Sequence, residues 1–175
     1  MSSIAMTQQL NQPPVPNAVE TIEDRNEWVL SAPFRAHVIH LMETAQIPWP
    51  VVAFQAGVPL YTVRTLIFGR AGKIRPKIAL EAARNLIGLH MEDLNWTRYA
   101  YISAENTAMR VRCLRSLGIP WQHISHNLTL DLETCQAIAR GERTSCSVMV
   151  DILAQCACAQ VGLQSWEDLN DTEEE

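Results

Sequence analysis

The sequence has no apolar run approaching the roughly 20 residues that a membrane-spanning helix requires. It also has no basic segment followed by an apolar core, which is the pattern of a secretory signal. With 47% hydrophobic and 19% charged residues in 175 positions, the composition is that of a globular protein. The two absences predict a cytoplasmic protein with no membrane partner.

Metal-binding cysteine spacing is missing as well, because no CxxC pair occurs among Cys113, Cys135, Cys146, Cys156 and Cys158. The last two are two positions apart on a predicted helix and should point to different faces. His123 and His126 could share a face, yet a metal site would need two further converging ligands. We therefore expect buried reduced thiols, no metal and no cofactor, and a thiol or metal sensor is the weakest of three function classes.

Enzymatic signatures are not found either. Gly69 to Lys73 contains a GxxG and a GK, but it lacks the spacing of a P-loop and the Ser or Thr that follows one. A GxxG loop also occurs in KH-type RNA-binding domains, which need a sheet that the sequence does not predict. No Ser/His/Asp or paired-carboxylate pattern is found, so we expect no catalytic residues and no enzyme.

No alternating strand pattern of useful length occurs, so the predicted fold class is all-α, with two helical modules in tandem that each contain a helix-turn-helix. Residues 1–16 are predicted to be a disordered arm, 17–95 and 96–170 the two domains, and 171–175 an acidic tail. Outside the motifs we expect helices over about 17–30, 34–45, 77–89, 103–117 and 147–161. Ser31 and Ser103 are expected to cap two of them, and 96–101 to join the domains or lie at their interface.

The stretch from Trp49 to Gly69 has small and apolar residues where a helix-turn-helix needs them. Ala53 is small enough for a second helix to cross closely, and Gly57 supplies the positive φ of the turn between the helices. Val63 and Leu66 follow at helical spacing and should face the core. The outward, base-reading positions of the second helix are then Pro59, Leu60, Tyr61, Thr62, Arg64 and Thr65.

This stretch resembles the small helix-turn-helix modules of actinobacterial and actinophage regulators. The resemblance covers about residues 34–90 and rests on Arg35-Ala36-His37-Val38, Ala56-Gly57-Val58, Tyr61-Thr62-Val63 and Gly69-Arg70. It implies a DNA-binding regulator. The sequence departs from the pattern at Pro59, where a serine N-cap is usual, and at the bulky pair Trp49-Pro50; a proline is tolerated in the first turn of a helix.

A second copy of the motif follows. Ile47-Pro48-Trp49 recurs as Ile119-Pro120-Trp121, and in both copies a glycine follows the tryptophan at the same interval. Thr129 stands where Gly57 stood, and because threonine adopts positive φ poorly, we expect that turn to be strained, remodelled or longer. Asp131 and Glu133 at the head of the next helix make the second copy a diverged one.

Charge favours nucleic acid as the partner of the first copy. Between Phe34 and His90 there are seven Lys or Arg residues and two acidic ones, although the whole chain has a net charge of −5. The field that steers a polyanion is local, so the net charge does not exclude DNA. Predicted DNA contacts outside the first recognition helix are Arg70, Lys73, Arg75 and Lys77, and in the second copy Thr134, Gln136, Arg140 and Arg143.

The sequence thus predicts a sequence-specific, double-stranded-DNA-binding transcriptional regulator, with repression as the expected mode. Single-chain immunity repressors of actinobacterial phages have a similar general layout. The two copies differ at Arg64 and Gln136, so one monomer is expected to bind an asymmetric site. The alternative is a protein-interaction module with degenerate helix-turn-helix folds, which docks the transcription machinery or another regulator; the acidic residues of the second copy favour it.

Overall fold

A computed structural model of the chain describes residues 27–163, which are mainly helical. The predicted arm at 1–16, most of the predicted helix at 17–30 and the acidic tail at 171–175 lie outside the described residues. Among the described helices, none combines the length and the apolar character needed to cross a membrane.

The first half of the described chain has a strand, three helices, a second strand and a fourth helix. These elements, here called the first repeat, are β1 (Trp28–Leu30), α1 (Ala32–Ala45), α2 (Trp49–Gln55), α3 (Leu60–Phe68), β2 (Lys77–Ala79) and α4 (Leu80–Ile87). β1 and β2 pair as an antiparallel ribbon in which Val29 lies opposite Ile78. A further helix, α5 (Met91–Tyr99), leads out of the repeat.

The same order of elements then recurs. The second repeat comprises β3 (Tyr101–Ser103), α6 (Glu105–Ser116), α7 (Trp121–Asn127), α8 (Leu132–Ala139), β4 (Ser145–Ser147) and α9 (Val148–Gln160). β3 pairs with β4, with Ile102 opposite Cys146. The main difference lies between the third helix and the returning strand, where the loop from Gly69 to Pro76 is replaced by the shorter segment from Gly141 to Thr144.

The mainly helical structure agrees with the predicted all-α class, to which two short ribbons are an addition. Trp28–Leu30 is a strand and not the end of a helix, and Lys77–Ala79 is a strand that precedes α4. Ser103 likewise belongs to β3 and not to a helix cap, although its hydroxyl oxygen accepts a hydrogen bond from the Glu105 amide at 3.4 Å. Each strand has only three residues and finds its hydrogen-bond partners far along the chain, so no local alternation marks it.

Two further segments differ in detail from the expectation. Residues 96–99 form the end of α5, which leads from the first repeat to β3, so the expected boundary at 95/96 falls inside a helix. Ser31 is the N-cap residue of α1, as expected, but it makes no side-chain capping bond; its hydroxyl donates instead to the Arg75 carbonyl oxygen. The amide of Ser31 also donates to the Pro76 carbonyl oxygen at 3.0 Å. The start of α1 is thus fastened to the loop that precedes β2.

Helix α9 contributes to two hydrophobic cores. Val148, Ile152 and Cys156 pack in the core of the first repeat, whereas Val150, Ala154 and Cys158 pack in the core of the second. The prediction that Cys156 and Cys158 face different sides is therefore confirmed. The last helix of the second repeat completes the core of the first, so the two cores are joined through one element.

A buried polar network fastens α6 to α9. Asp151 forms an ion pair with Arg110 at 2.5 Å, with both side chains about nine-tenths buried. The same carboxylate accepts hydrogen bonds from the Thr107 hydroxyl at 2.7 Å and from the Gln155 amide at 2.8 Å. Because the buried carboxylate is both paired and hydrogen-bonded, its burial is compensated.

Candidate nucleic-acid interface

The turn between α2 and α3 has the predicted left-handed residue. Gly57 has φ of 62°, and its amide donates to the Phe54 carbonyl oxygen at 3.0 Å. Val58 then buries its side chain at the corner and donates its amide to Ala53 at 2.9 Å. A Cβ at Gly57 would meet no atom within 4 Å, so the position requires glycine for its backbone conformation and not for space.

Helix α3 divides into a buried and an exposed side. Val63 and Leu66 are buried in the core as predicted. Pro59, Tyr61 and Arg64 are exposed, and Leu60 and Thr62 are half-buried.

The outward placement predicted for Thr65 is wrong. Its side chain is only 4% exposed, and its hydroxyl donates to the Thr62 carbonyl oxygen at 3.1 Å. Thr65 lies two positions after Val63 and one before Leu66, so the turn of the helix carries it toward the core side.

The loop after α3 is a tight cationic turn. The amides and carbonyl oxygens of Arg70 and Lys73 bond each other at 2.9 and 3.0 Å. Gly69 precedes the turn with φ of 75°, and a Cβ there would lie 2.6 Å from the Lys73 carbonyl oxygen, so only glycine fits. The turn leaves the side chains of Arg70, Lys73, Arg75 and Lys77 exposed.

An open groove of about 410 Å³ runs between α3 and the β2–α4 segment. Thr62 lines one side, and Arg75 and Lys77 line the other, with Trp28 and Glu81 at its border. The groove therefore brings two cations of the loop next to the exposed side of α3. Residues that are 13 or more positions apart in the sequence become neighbours because β2 returns along β1.

The cations of α3 and of the following loop form no salt bridge within residues 27–163. The two salt bridges found there join Arg110 to Asp151 and Arg140 to Glu142. Arg35 has a different role, because its Nε donates to the Ile67 carbonyl oxygen at 3.2 Å and holds the end of α3 against α1.

The turn between α7 and α8 has the same geometry without a glycine. Thr129 has φ of 54°, and its amide donates to His126 at 3.1 Å. The next amide, of Leu130, donates to Ser125 at 3.0 Å, as Val58 does to Ala53. The turn is therefore neither remodelled nor longer, but strained, because a β-branched residue occupies the left-handed region.

Asp131 caps helix α8, a role that the sequence analysis missed. Its carboxylate accepts the Thr134 amide at 2.8 Å and the Thr134 hydroxyl at 2.7 Å. These hydrogen bonds hold the pKa of Asp131 below its ordinary value. The signal was an aspartate three residues before a threonine at a helix start. Thr134, a predicted DNA contact, uses its hydroxyl for this cap.

Among the other predicted contacts of the second repeat, one cation is already paired with a carboxylate. Arg140 is exposed but makes two hydrogen bonds to the Glu142 carboxylate, at 2.6 and 2.9 Å. This pairing lowers the pKa of Glu142 and raises that of Arg140. Gln136 is half-buried, and Arg143 is exposed. Glu142 occupies the place in the repeat that Arg70 has in the first, so the local charge is reversed.

All five cysteines are buried, and none forms a disulfide with another described residue. Burial raises the pKa of Cys135 and Cys146, and raises that of Cys156 and Cys158 to about 11. The described residues contain no group of three or more potential metal ligands. His123 and His126 are exposed on α7.

Comparison with protein-family models, with curated proteins and with solved structures gives no match for this sequence.

Proposed function

We propose that this chain is a sequence-specific double-stranded-DNA-binding transcriptional regulator that inserts α3 into the major groove. The observation that carries the proposal is the placement of the exposed side of α3 beside a loop whose four cations form no salt bridge within residues 27–163. A helix start that projects polar side chains, flanked by cations, is the arrangement by which helix-turn-helix proteins read bases and hold phosphates.

The side chains divide into two roles. Arg64 is the base-reading candidate, since a guanidinium can donate two hydrogen bonds to guanine, and Tyr61 and Thr62 offer polar contacts beside it. Pro59 and Leu60 offer apolar contact, for instance to a thymine methyl group. The loop cations Arg70, Lys73, Arg75 and Lys77 hold phosphates and set the position of α3 on the duplex.

The repeat supports two tandem helix-turn-helix modules that act as one unit. The second helix pair has the same turn as the first but carries different outward residues, such as Gln136 in place of Arg64. One monomer then covers an asymmetric site, without the two-fold symmetry that a dimer imposes on its operator. Occupying such a site beside a promoter would repress transcription.

Selection of genomic fragments by the purified chain, followed by footprinting, tests the proposal. Arg64→Ala should relax preference at one or two base pairs and cost about 1–3 kcal/mol on the selected site. Arg84→Ala is the matched control, because Arg84 is exposed on α4 and does not line the groove beside α3. Equal losses on selected and random DNA would make Arg64 a phosphate contact only.

The phosphate contacts have a separate signature. Replacing Lys73 and Arg75 by alanine should weaken binding to all duplexes and flatten the dependence of the binding constant on salt by about 0.9 in log–log slope for each lost contact. The bond from Ser31 to Arg75 uses the backbone of Arg75, so the fold should tolerate the change. An affinity that does not vary with salt would reject the proposal.

A protein-docking role for the second repeat is the other candidate. Leu132 is 41% exposed at the start of α8, and the adjacent Glu133 is exposed and acidic. An apolar side chain beside a carboxylate suits a protein surface better than DNA. A full-length chain whose footprint is unchanged by substitutions throughout the second repeat would favour this role.

A further inference from the structure

The second repeat has a groove with three arginines at the C-terminal part of α8. It is an open groove of about 450 Å³ bounded by α6, α7 and α8. Its lining residues are Arg112, Arg115, Trp121, Gln136, Ala139 and Arg140. The sequence analysis did not single out Arg112 or Arg115, because the two lie on a helix that contributes nothing to the predicted base-reading surface.

At the corresponding place in the first repeat, part of the lining is aromatic. Trp49 corresponds to Trp121, and Phe68 corresponds to Arg140. The rings of Trp49 and Phe68 meet edge to face with centroids 6.4 Å apart, which closes that site with aromatic packing. The two repeats thus carry cations in different places: the first in the loop after its third helix, and the second in this groove.

Internal contacts hold the guanidinium groups in place. Arg112 donates to the Ala139 carbonyl oxygen at 3.2 Å. Arg115 donates to the Ile119 carbonyl oxygen, and its guanidinium carbon lies 5.0 Å from the centroid of the Trp121 ring. Each contact uses one of the five N–H donors of a guanidinium and leaves others for an anion. Side chains that are ordered in advance lose less conformational entropy on binding.

The location of the groove points to nucleic-acid phosphate as its ligand. Gln136 lies at its edge and corresponds to Arg64, so the groove adjoins the face of α8 that matches the exposed face of α3. Arginine is the residue best suited to phosphate because its planar group can donate two parallel hydrogen bonds. The acidic residues Asp131 and Glu133 lie at the start of α8, where base edges would be read.

We propose that the second repeat holds the phosphate backbone of DNA through Arg112, Arg115 and Arg140 and does not read bases. This inference rests on the proposed function and deepens it: the first repeat selects the sequence, and the second adds affinity that is independent of sequence. Glu142 opposes the contact, because its carboxylate occupies two donors of Arg140.

Two substitutions of opposite effect test the inference on the full chain, with a labelled random-sequence duplex as the probe over a range of salt concentrations. Arg112→Gln should weaken binding several-fold and reduce the log–log salt slope by about 0.9. Glu142→Gln should free Arg140, tighten binding and steepen the slope. As a control, Glu105→Gln removes a negative charge, as Glu142→Gln does, but at the far end of α6. It should change the affinity and the salt slope less than Glu142→Gln does. Thermal unfolding of each variant establishes that it is folded.

The outcomes separate this inference from the proposed function. If wild-type protein binds no duplex, both are overturned. If replacing Lys73 and Arg75 weakens binding while Arg112→Gln and Glu142→Gln leave it unchanged, the regulator stands and the phosphate groove is wrong. If Arg112→Gln instead weakens binding of a poly-glutamate peptide and spares the duplex, the groove is a protein-docking site and the inference is overturned. Loss of preference for particular base pairs in Arg112→Gln would overturn the sequence-independent role.

Discussion

Exchanging the residues at the two left-handed turn positions should change stability in opposite directions. Gly57 has φ of 62° and Thr129 has φ of 54°, and each donates its amide to the residue three positions before it. A Cβ added at Gly57 would have no neighbour within 4 Å. The reciprocal variants Gly57→Thr and Thr129→Gly therefore measure mainly the conformational cost of a β-branched residue at this turn position.

The size of the effect follows from two opposing contributions. A non-glycine residue in the left-handed region costs about 1–2 kcal/mol, and a β-branched side chain lies toward the upper end. Glycine offsets about 0.4–1 kcal/mol of this difference, because it makes the unfolded chain more flexible and so lowers the free energy of unfolding. We expect Thr129→Gly to raise the free energy of unfolding by about 1 kcal/mol and Gly57→Thr to lower it by a similar amount.

Urea unfolding of the full chain measures both changes. The denaturant slope should stay constant if the substitutions do not alter the surface area that is exposed on unfolding. A difference of about 1 kcal/mol corresponds to about 2–4 °C in Tm for a chain of this size. Asparagine tolerates the left-handed region better than threonine, so Gly57→Asn should cost less than Gly57→Thr. A loss of stability in Thr129→Gly would refute the left-handed turn of the second repeat.

Three further results are expected. Asp131→Ala should destabilise α8 by removing its cap. The pKa of Asp131 is lowered on folding, so the stability that this residue contributes is present above its ordinary pKa of 3.8 and is lost as pH falls through the lower folded-state pKa. Urea titrations of wild type and variant should therefore give the same stability in acid. Asp151→Asn should cost about 3–5 kcal/mol by removing the carboxylate charge that pairs with the buried Arg110. Glu105→Gln, at an exposed carboxylate on α6, the helix of Arg110, should cost far less, and similar costs for the two would refute the network. A fragment that ends at residue 102 lacks Val148 and Ile152, which complete the first core, and should not unfold cooperatively; a sharp calorimetric transition would show that the first repeat is self-sufficient.

The sequence predicts the helix-pair stretch well because its signals are local. Trp49–Gln55 and Leu60–Phe68 lie within the predicted stretch, and Gly57 adopts the predicted conformation. Small, apolar and turn-forming residues within a dozen positions specify this geometry, and no distant partner is needed. The final helix was also located to within a residue at each end, because Ser147 caps it and accepts the Val150 amide at 3.3 Å.

The remainder depends on partners far along the chain. Pairing of Val29 with Ile78 creates the first ribbon, and three residues are too few to reveal a period of two. The same pairing brings Lys77 beside Thr62, so the cationic side of the candidate interface follows from tertiary structure. Thr65 is a related case. As a polar residue it is expected at the surface, but it can be buried because its hydroxyl donates to the Thr62 carbonyl oxygen in the preceding turn of the helix.

The shared helix α9 gives the proposed two-module arrangement a consequence at the level of DNA. The Cys156 thiol donates to the Pro50 carbonyl oxygen at 3.7 Å, so α9 touches the start of α2 while its opposite side fills the second core. A packed helix fixes the relative orientation of two modules in a way that a flexible linker does not. Because the proposed phosphate contact of the second repeat does not depend on sequence, its place on the duplex should be set by the first repeat through the packed helix. On different selected sites, the footprint of the second repeat should therefore lie at one fixed distance from the bases read by α3 and on one face of the duplex, whatever base pairs lie there. A distance or a face that varies from site to site would mean that the repeats move independently on DNA, contrary to the shared core.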